Sequence, residues 1–411
     1  MTDKRLNCDV LVIGGGMAGL TLGLALAHEG IETVVIDALD PKRVTDAQFD
    51  GRVSAIAYSS CRMLKALGLW NDVLPQAQPI LDIVVSDGTI KGGASPLFMH
   101  FDHREIGDEP LGHLIENRHM RAAQQKAAAR AKHLRVLAPA KAARTEFRAN
   151  HIEAETDGGA TIRAQLCVAA DGRNSPLRSQ VGIKTIAWSY PQTGIVTCVA
   201  HSLPHEGVAQ EYFLPSGPFA ILPMRGKRSS LVWTERDDLA PAILAMKDED
   251  FAREVRARFT DYLGEVEPIG PRWSYPLSLQ HARSYIAPRL ALVGDAAHAI
   301  HPIAGQGLNL GLRDVAALSE TLSDAARLGL DLGQMPALER YERWRRFDNT
   351  MLCASTDLLN KLFSNDIAAV RLARDLGLAA VNAIAPLKHF FMRHAGCDAG
   401  ALPKLMREES A

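Results

Sequence analysis

Apolar positions arrive along this chain in two rhythms. From residue 8 to residue 37 they form short unbroken runs. Cys8–Ile13 is apolar and partly β-branched, Leu20–Ala27 is an Ala- and Leu-rich stretch of helical type, and Thr33–Ile36 is a second short run. Gly30 ends the helical stretch. Continuous apolar runs around a helix belong to strands covered on both faces, so the segment predicts a βαβ unit and a parallel sheet. Arg118–His133 is Ala-rich and predicts a further helix, and Cys167–Ala170 and Arg289–Val293 repeat the buried-strand texture. A different rhythm begins near Ile186. Ile195–Ala200, Gln210–Leu214, Phe219–Pro223 and Ser229–Thr234 are short runs parted by Pro, Gly and charged residues. That spacing predicts an antiparallel sheet. The first texture returns at residue 289, so the first domain is discontinuous: residues 1–185 plus 286–350, with the sheet domain at 186–285 inserted. Part of 80–110 is assigned to the sheet domain. From Arg313 the chain is mostly helical, and 351–411 forms a helical C-terminal region.

Composition narrows the field without deciding it. The 411 residues are 47% hydrophobic and 23% charged, and the net charge is -1. These are ordinary globular values, long enough for two or three domains, and they give no general field for nucleic acid. Six scattered cysteines without a C-x-x-C fit reduced thiols in a cytoplasmic protein, and no metal-ligand spacing stands out among the 14 histidines. No apolar run approaches the ~18 residues of a membrane-spanning helix. A strand follows Met-Thr-Asp-Lys-Arg at once, which leaves the expectation of no cleaved leader.

Three glycine-bearing segments carry the chemistry. Gly14, Gly16 and Gly19 have the G-x-G-x-x-G spacing between the first strand and helix. The first glycine permits a tight turn, the second lets backbone N–H groups approach a pyrophosphate, and the third lets helix pack on strand. Met17 and Ala18 begin the helix whose N-terminus faces the phosphates. Asp37 closes the next strand about 20 residues on, where an acid accepts hydrogen bonds from a ribose diol. Asp171-Gly-Arg-Asn-Ser-Pro-Leu-Arg178 follows the strand at 167–170. Gly294-Asp295 follows the strand at 289–293, and Gly305-Gln-Gly307-Leu308-Asn309 opens a helix through Arg313 and Asp314. Together the segments predict an α/β fold: a Rossmann-like domain that wraps a long dinucleotide with a redox ring. A second G-x-G-x-x-G is absent, and so is a redox C-x-x-x-x-C, which argues against a disulfide-reductase type.

The middle segment resembles the D-G-x-x-S-x-x-R stretch of flavin monooxygenases. The segment His301-Pro-Ile-Ala-Gly-Gln-Gly-Leu-Asn-Leu-Gly-Leu-Arg-Asp314 resembles the signature of the UbiH/UbiF/VisC group of FAD-dependent hydroxylases, which are class A flavoprotein monooxygenases. The resemblance extends to Asp50-Gly-Arg52 with Ser54–Ala57, to Asn117-Arg118, and to the tail at Thr356–Asn365. It implies FAD, NADPH or NADH as a transient reductant, and O₂ as co-substrate. The implied reaction is ring hydroxylation of a polyprenylated phenol in ubiquinone biosynthesis, through a flavin C4a-hydroperoxide; the alternatives are a flavin hydroxylase of a soluble aromatic compound and a non-catalytic FAD-binding subunit of a quinone-biosynthesis complex. Asp295 is then expected at the ribityl hydroxyls, the helix start at 305–309 at the flavin's pyrimidine edge, and Arg52 and Arg118 beside the FAD, or else in surface salt bridges.

No residue is assigned as acid or base, because the cofactor carries the hard chemistry. Pro302 is expected to shape the pocket, and His301, Phe213 and Leu222 are pocket candidates. His298 fits a structural role as well as a proton-transfer one. Phe213, Leu222 and Trp233 fit either a lipid-ring pocket or the core. Leu376–Pro386 and Leu387–Arg393 are apolar, broken by Pro386 and flanked by cations. They suit a membrane surface, another quinone-biosynthesis protein, a homo-oligomer contact or the protein body. The expected location is cytoplasmic, with a peripheral seat at the inner membrane as the alternative.

Overall fold

A computed structural model describes residues 5–44, 51–89, 93–259, 261–364, 368–395 and 400–407; Asp50 and Asn365, named above, lie outside them. The first apolar run becomes β1 (Arg5–Ile13), in the middle of an eight-stranded sheet. It pairs in parallel with β2 (Thr33–Ile36) and with β11 (Thr161–Ala169). β8 (Leu134–Leu137) and β18 (Leu290–Leu292) extend the parallel set, and β17 (Ile286–Ala287) closes one edge antiparallel. β9 (Ala142–Phe147) and β10 (Ile152–Thr156) form a hairpin on β11. Val10, Leu11 and Val12 are fully buried, as strands covered on both faces must be.

Helix α1 (Met17–His28) is apolar all round because it is enclosed between this sheet, α5 (Asn117–Ala128) and α9 (Gly307–Arg327). The short helices α2 (Pro41–Val44), α3 (Tyr58–Ala66) and α4 (Trp70–Val73) carry the chain around this core. Helix α5 stops at Ala128, short of the predicted His133. The chain must turn there to bring Leu134 into register with Thr33. A small antiparallel sheet of β3 (Val53–Ala57), β7 (Gly112–Glu116) and β4 (Gln78–Ile80) was not anticipated.

The second large sheet runs β19-β16-β12-β15-β14-β13-β5-β6. Its strands are β5 (Asp82–Thr89), β6 (Gly93–Asp102), β12 (Thr185–His201), β13 (Val208–Leu214), β14 (Gly217–Met224), β15 (Arg228–Arg236), β16 (Val266–Ala282) and β19 (His298–Ala299). β13 pairs with β5 in parallel, and every other neighbour is antiparallel. Residues 82–89 and 93–102 lie in this sheet. In β14 and β15 its side chains alternate between the two faces, whereas β12, β16 and β5 carry register shifts. Ile195, Phe219, Leu231 and Trp233 form a core with α7 (Ala240–Leu244) and α8 (Asp248–Arg258). The other face carries Phe213, Ala220, Leu222 and Val232 toward the first domain.

After α6 (Pro176–Gln180) and the inserted sheet, α9 leads to α10 (Met335–Phe363). Helix α10 runs unbroken across the boundary expected at 350/351, because its inner side packs on α9, β14 and β16. Helices α11 (Ala368–Ala383) and α12 (Ala385–Ala395) follow, and α11 rests on β6 and β5.

Candidate active site

A cavity of about 1460 Å³ lies between the two large sheets. One end is built by the glycine segments. Gly14 adopts φ +106°, and a Cβ there would stand 2.2 Å from the Ala170 carbonyl oxygen. A Cβ on Gly19 would meet the Gly14 oxygen at 1.8 Å, whereas Gly16 has open space over it. So Gly14 and Gly19 serve backbone packing, and Gly16 is the glycine that admits a ligand. Gly16 caps α1 without a side-chain bond, which leaves the first N–H groups of the helix facing the cavity. Asp37 sits at the same turn. Its carboxylate lies against Gly15 and accepts from Leu39 N at 3.0 Å.

The second and third segments are tied together by one buried side chain. Arg178 donates to the Ala296 oxygen at 2.8 Å and to the Arg173 oxygen at 2.9 Å. Asp171 and Ser175 hold the start of α6, accepting from Leu177 N and Arg178 N. Gly172 and Arg173 then reach the cavity. Asp171 Oδ1 is buried with no hydrogen-bond partner. Gly294 (φ +59°) and Asp295 line the same end, and the surrounding walls push the Asp295 carboxyl above the ordinary range by desolvation.

Gly305, Gly307, Leu308 and Asn309 line the cavity at the start of α9. The Asn309 side chain is used within the protein. It donates to the Ala55 oxygen at 2.8 Å and accepts from Ala57 N at 2.9 Å, stapling β3 to α9 so that both shape one cradle.

Behind this cradle is a buried charge network that the sequence did not reveal. Asp314 is fully buried and accepts from Gly294 N at 3.1 Å, His298 Nε2 at 2.5 Å, Arg345 Nε at 2.9 Å and Asn349 Nδ2 at 3.0 Å. Burial pushes the Asp314 carboxyl up, but His298 and Arg345 more than offset this and hold it at about 2. His298 is therefore structural, as the locking partner of the Gly294 turn.

His301 is turned away from the cavity, which corrects its assignment to the pocket. Its ring packs edge-on against Tyr190 at 5.3 Å, and burial holds its pKa down to about 4. Ile300, Pro302 and Ile303 line the cavity on either side of it, while the His301 ring is fully buried and its Nδ1 accepts from Ile303 N at 3.3 Å. Phe213 and Leu222 line the cavity, whereas Trp233 lies in the core on the other side of the sheet. Arg52 is exposed, and its carbonyl accepts from Asn117 N at 2.9 Å. Arg118 pairs with Glu116 at 2.7 Å and opens on a neighbouring cleft. Among the described residues, no cluster of ligands fit for a metal occurs.

The far end of the cavity is apolar and was legible only in part. Ile83, Val85, Met99 and Phe101 come from β5 and β6, and Met351, Leu359 and Phe363 from α10. Phe213 stacks on Phe363 at 4.0 Å. Phe390 and Phe391 of α12 line it too and are 53% and 40% exposed, so the apolar lining continues to the surface.

A Rossmann-like domain with three ligand-facing turns, opposed by an antiparallel sheet, is the architecture of the class A FAD-dependent monooxygenases. The open approach at Gly16 and the uncapped starts of α1 and α9 fit FAD. Residues 7–346 match the family model described as an FAD binding domain. The chain is 51% identical over 387 residues to ubiquinone hydroxylase UbiL of Rhodospirillum rubrum, covering 94% of this chain and 89% of that one. It is 34% identical to 3-demethoxyubiquinol 3-hydroxylase of Escherichia coli, over 94% and 98% of the two chains. In fold it is similar to the crystal structure of p-nitrophenol 4-monooxygenase PnpA from Pseudomonas putida, with a TM-score of 0.79, 19% identity, and 97% and 100% coverage. The chain belongs to the FAD-binding family of aromatic hydroxylases, in the UbiH/UbiF/VisC group that its signature resembles.

Proposed function

We propose that this enzyme hydroxylates the aromatic ring of a polyprenylated phenol in ubiquinone biosynthesis, using NADPH or NADH and O₂. The carrying observation is continuity. One cavity has dinucleotide-type turns at one end and an apolar lining that reaches the surface at the other. FAD bound at the glycine turns supplies the oxidation–reduction chemistry. The chain supplies placement and dryness. Asp37 accepts from the ribose, Asp295 accepts from the ribityl chain, and the first N–H groups of α9 face the pyrimidine edge. Pro302 and Ile300 shape the floor against which the phenol ring is aligned. Leu222, Ala220 and Phe213 then lead an isoprenoid chain toward α12. Each buried CH₂ contributes about 0.8 kcal/mol, so the tail carries affinity while the ring end sets orientation.

The mouth supports a seat on a lipid bilayer. Ile384, Leu387, Phe390 and Phe391 are all exposed large apolar residues, and they border the lining that a lipid tail would follow. Lys388 does not join the expected cationic flank, because it turns inward to Glu105. Arg393 remains exposed. Among the described residues no helix is long and apolar enough to cross a membrane. In flotation with anionic liposomes, F390S/F391S should be recovered less than the parent; equal recovery rejects the lipid seat. For the reaction, deletion of the gene in its host should accumulate a prenylated precursor lacking one ring oxygen, read by mass spectrometry of lipid extracts. An unchanged quinone profile contradicts the pathway assignment.

A further inference from the structure

A second cavity of about 310 Å³ lies beside the flavin end and serves no step above. Its polar lining is Gln76, Glu116, Arg118, His119, Arg225 and Arg228. Val53 lines both cavities, and Leu114, Met224 and Leu222 pack together as the wall between them. None of its lining comes from the C-terminal helices. We propose that this cleft docks the phosphate groups of the nicotinamide dinucleotide that reduces the flavin, an inference that rests on the reductant named under Proposed function.

Charge is the first support. Three guanidiniums face one carboxylate, an excess of two positive charges in a chain of net charge -1. The single acid is already shared. Glu116 takes Arg118 at 2.7 Å through one oxygen and Arg228 at 3.3 Å through the other. Arg225 donates to Gln76 Oε1 at 3.1 Å and is otherwise at the rim. Burial makes His119 a weaker base, and Arg118, Arg225 and Arg228 weaken it further against the pull of Glu116, as a net positive field requires.

Geometry is the second support. Glu116 to His119 form the entry to α5, so the positive end of that helix lies at the cleft beside the arginines. Planar guanidinium forks match phosphate oxygens in pairs. The volume sits at the lower end of small-molecule sites, enough for the phosphate portion of a nucleotide whose ring is used elsewhere. The shared wall at Val53 sets that portion next to the flavin end, apart from the lipid mouth. Reductant and lipid substrate therefore approach by separate routes.

The test is anaerobic stopped-flow reduction of the FAD-loaded enzyme by NADPH, NADH and dithionite, with calorimetric titration of NADP⁺ and inorganic pyrophosphate. In R225Q/R228Q, half-saturation for the nucleotide should rise roughly tenfold or more, and pyrophosphate binding should weaken in parallel. FAD content and the dithionite rate should stay as in the parent. The single R225Q variant, altered only at the rim, should move in the same direction and guards against a folding effect. Unchanged nucleotide half-saturation in both variants overturns the assignment. So does a shift confined to the phenol's KM, which would place an anionic substrate group in the cleft. A parent enzyme reduced by dithionite but by neither nucleotide overturns the reductant reading, and the site with it.

Discussion

Arg345→Met tests the network behind the flavin turn. Arg345 is fully buried; it donates to Asp314 at 2.9 Å, to Asn349 Oδ1 at 2.6 Å and to Asp348 Oδ2 at 3.1 Å. Methionine fills comparable space but leaves the Asp314 carboxylate with His298, Asn349 and one backbone N–H only. Removing one member of a buried, hydrogen-bonded charge pair costs about 3–5 kcal/mol. The loss should also be pH-dependent. The Asp314 carboxyl is held at about 2, below its ordinary value of 3.8, so its contribution is complete above the ordinary value and fades as pH falls toward about 2. Without Arg345 the folded-state pKa rises toward the ordinary value, so the window narrows, the variant loses less stability on acidification, and its gap to the parent shrinks as pH falls below 3.8 toward about 2. Urea unfolding of the FAD-loaded protein at neutral pH and at a pH inside that window reads both effects. R345M should unfold at lower urea with a similar slope, and the gap should change between the two pH values. FAD content should fall too, because Asp314 also anchors Gly294 N. A variant within about 1 kcal/mol of the parent at both pH values, with full FAD, refutes the reasoning.

Gly14→Ala should purify without FAD, since its Cβ meets backbone at 2.2 Å and its φ is +106°; the ratio of flavin to protein absorbance checks this. His301→Phe keeps the ring on Tyr190 and deletes an unpartnered Nε2, but it also removes the Nδ1 that accepts from Ile303 N at 3.3 Å. Its stability should fall by about 1–3 kcal/mol while turnover of the folded enzyme stays close to the parent, whereas a general base would lose orders of magnitude. Ala220→Trp narrows the apolar arm of the cavity. Steady-state assays should show kcat/KM for a prenylated phenol falling roughly tenfold or more, with FAD content unchanged.

What the sequence disclosed follows from how local each signal is. The turn at Gly14–Gly19 is written in six adjacent residues, because φ and close approach are decided there. The strands at 195–234 were legible because one face is a core and, in β14 and β15, side chains alternate across the sheet. Non-local pairings left no such trace. β5 joins the sheet through a parallel pairing of Asp82–Asp87 with Val208–Phe213, and nothing in either segment names the other. The lengths of β12 and β16 were hidden by Pro191, Gly270 and Pro276 inside them. The Asp314 network joins α9 to α10 over 31 residues, and Arg345 in a helix otherwise reads as a solvated cation. Only the rule that a fully buried acid needs several partners would have pointed there.

The central claim is that one chamber takes both the redox cofactor and a prenylated ring. Its most direct test is single-enzyme turnover with FAD-loaded protein, NADPH and O₂, comparing one phenol with and without its prenyl chain by mass spectrometry. The account predicts a product with one added oxygen atom and a kcat/KM roughly tenfold or more higher for the prenylated phenol. Equal turnover of the two phenols, or reductant consumed with no oxygenated product from either, would contradict it.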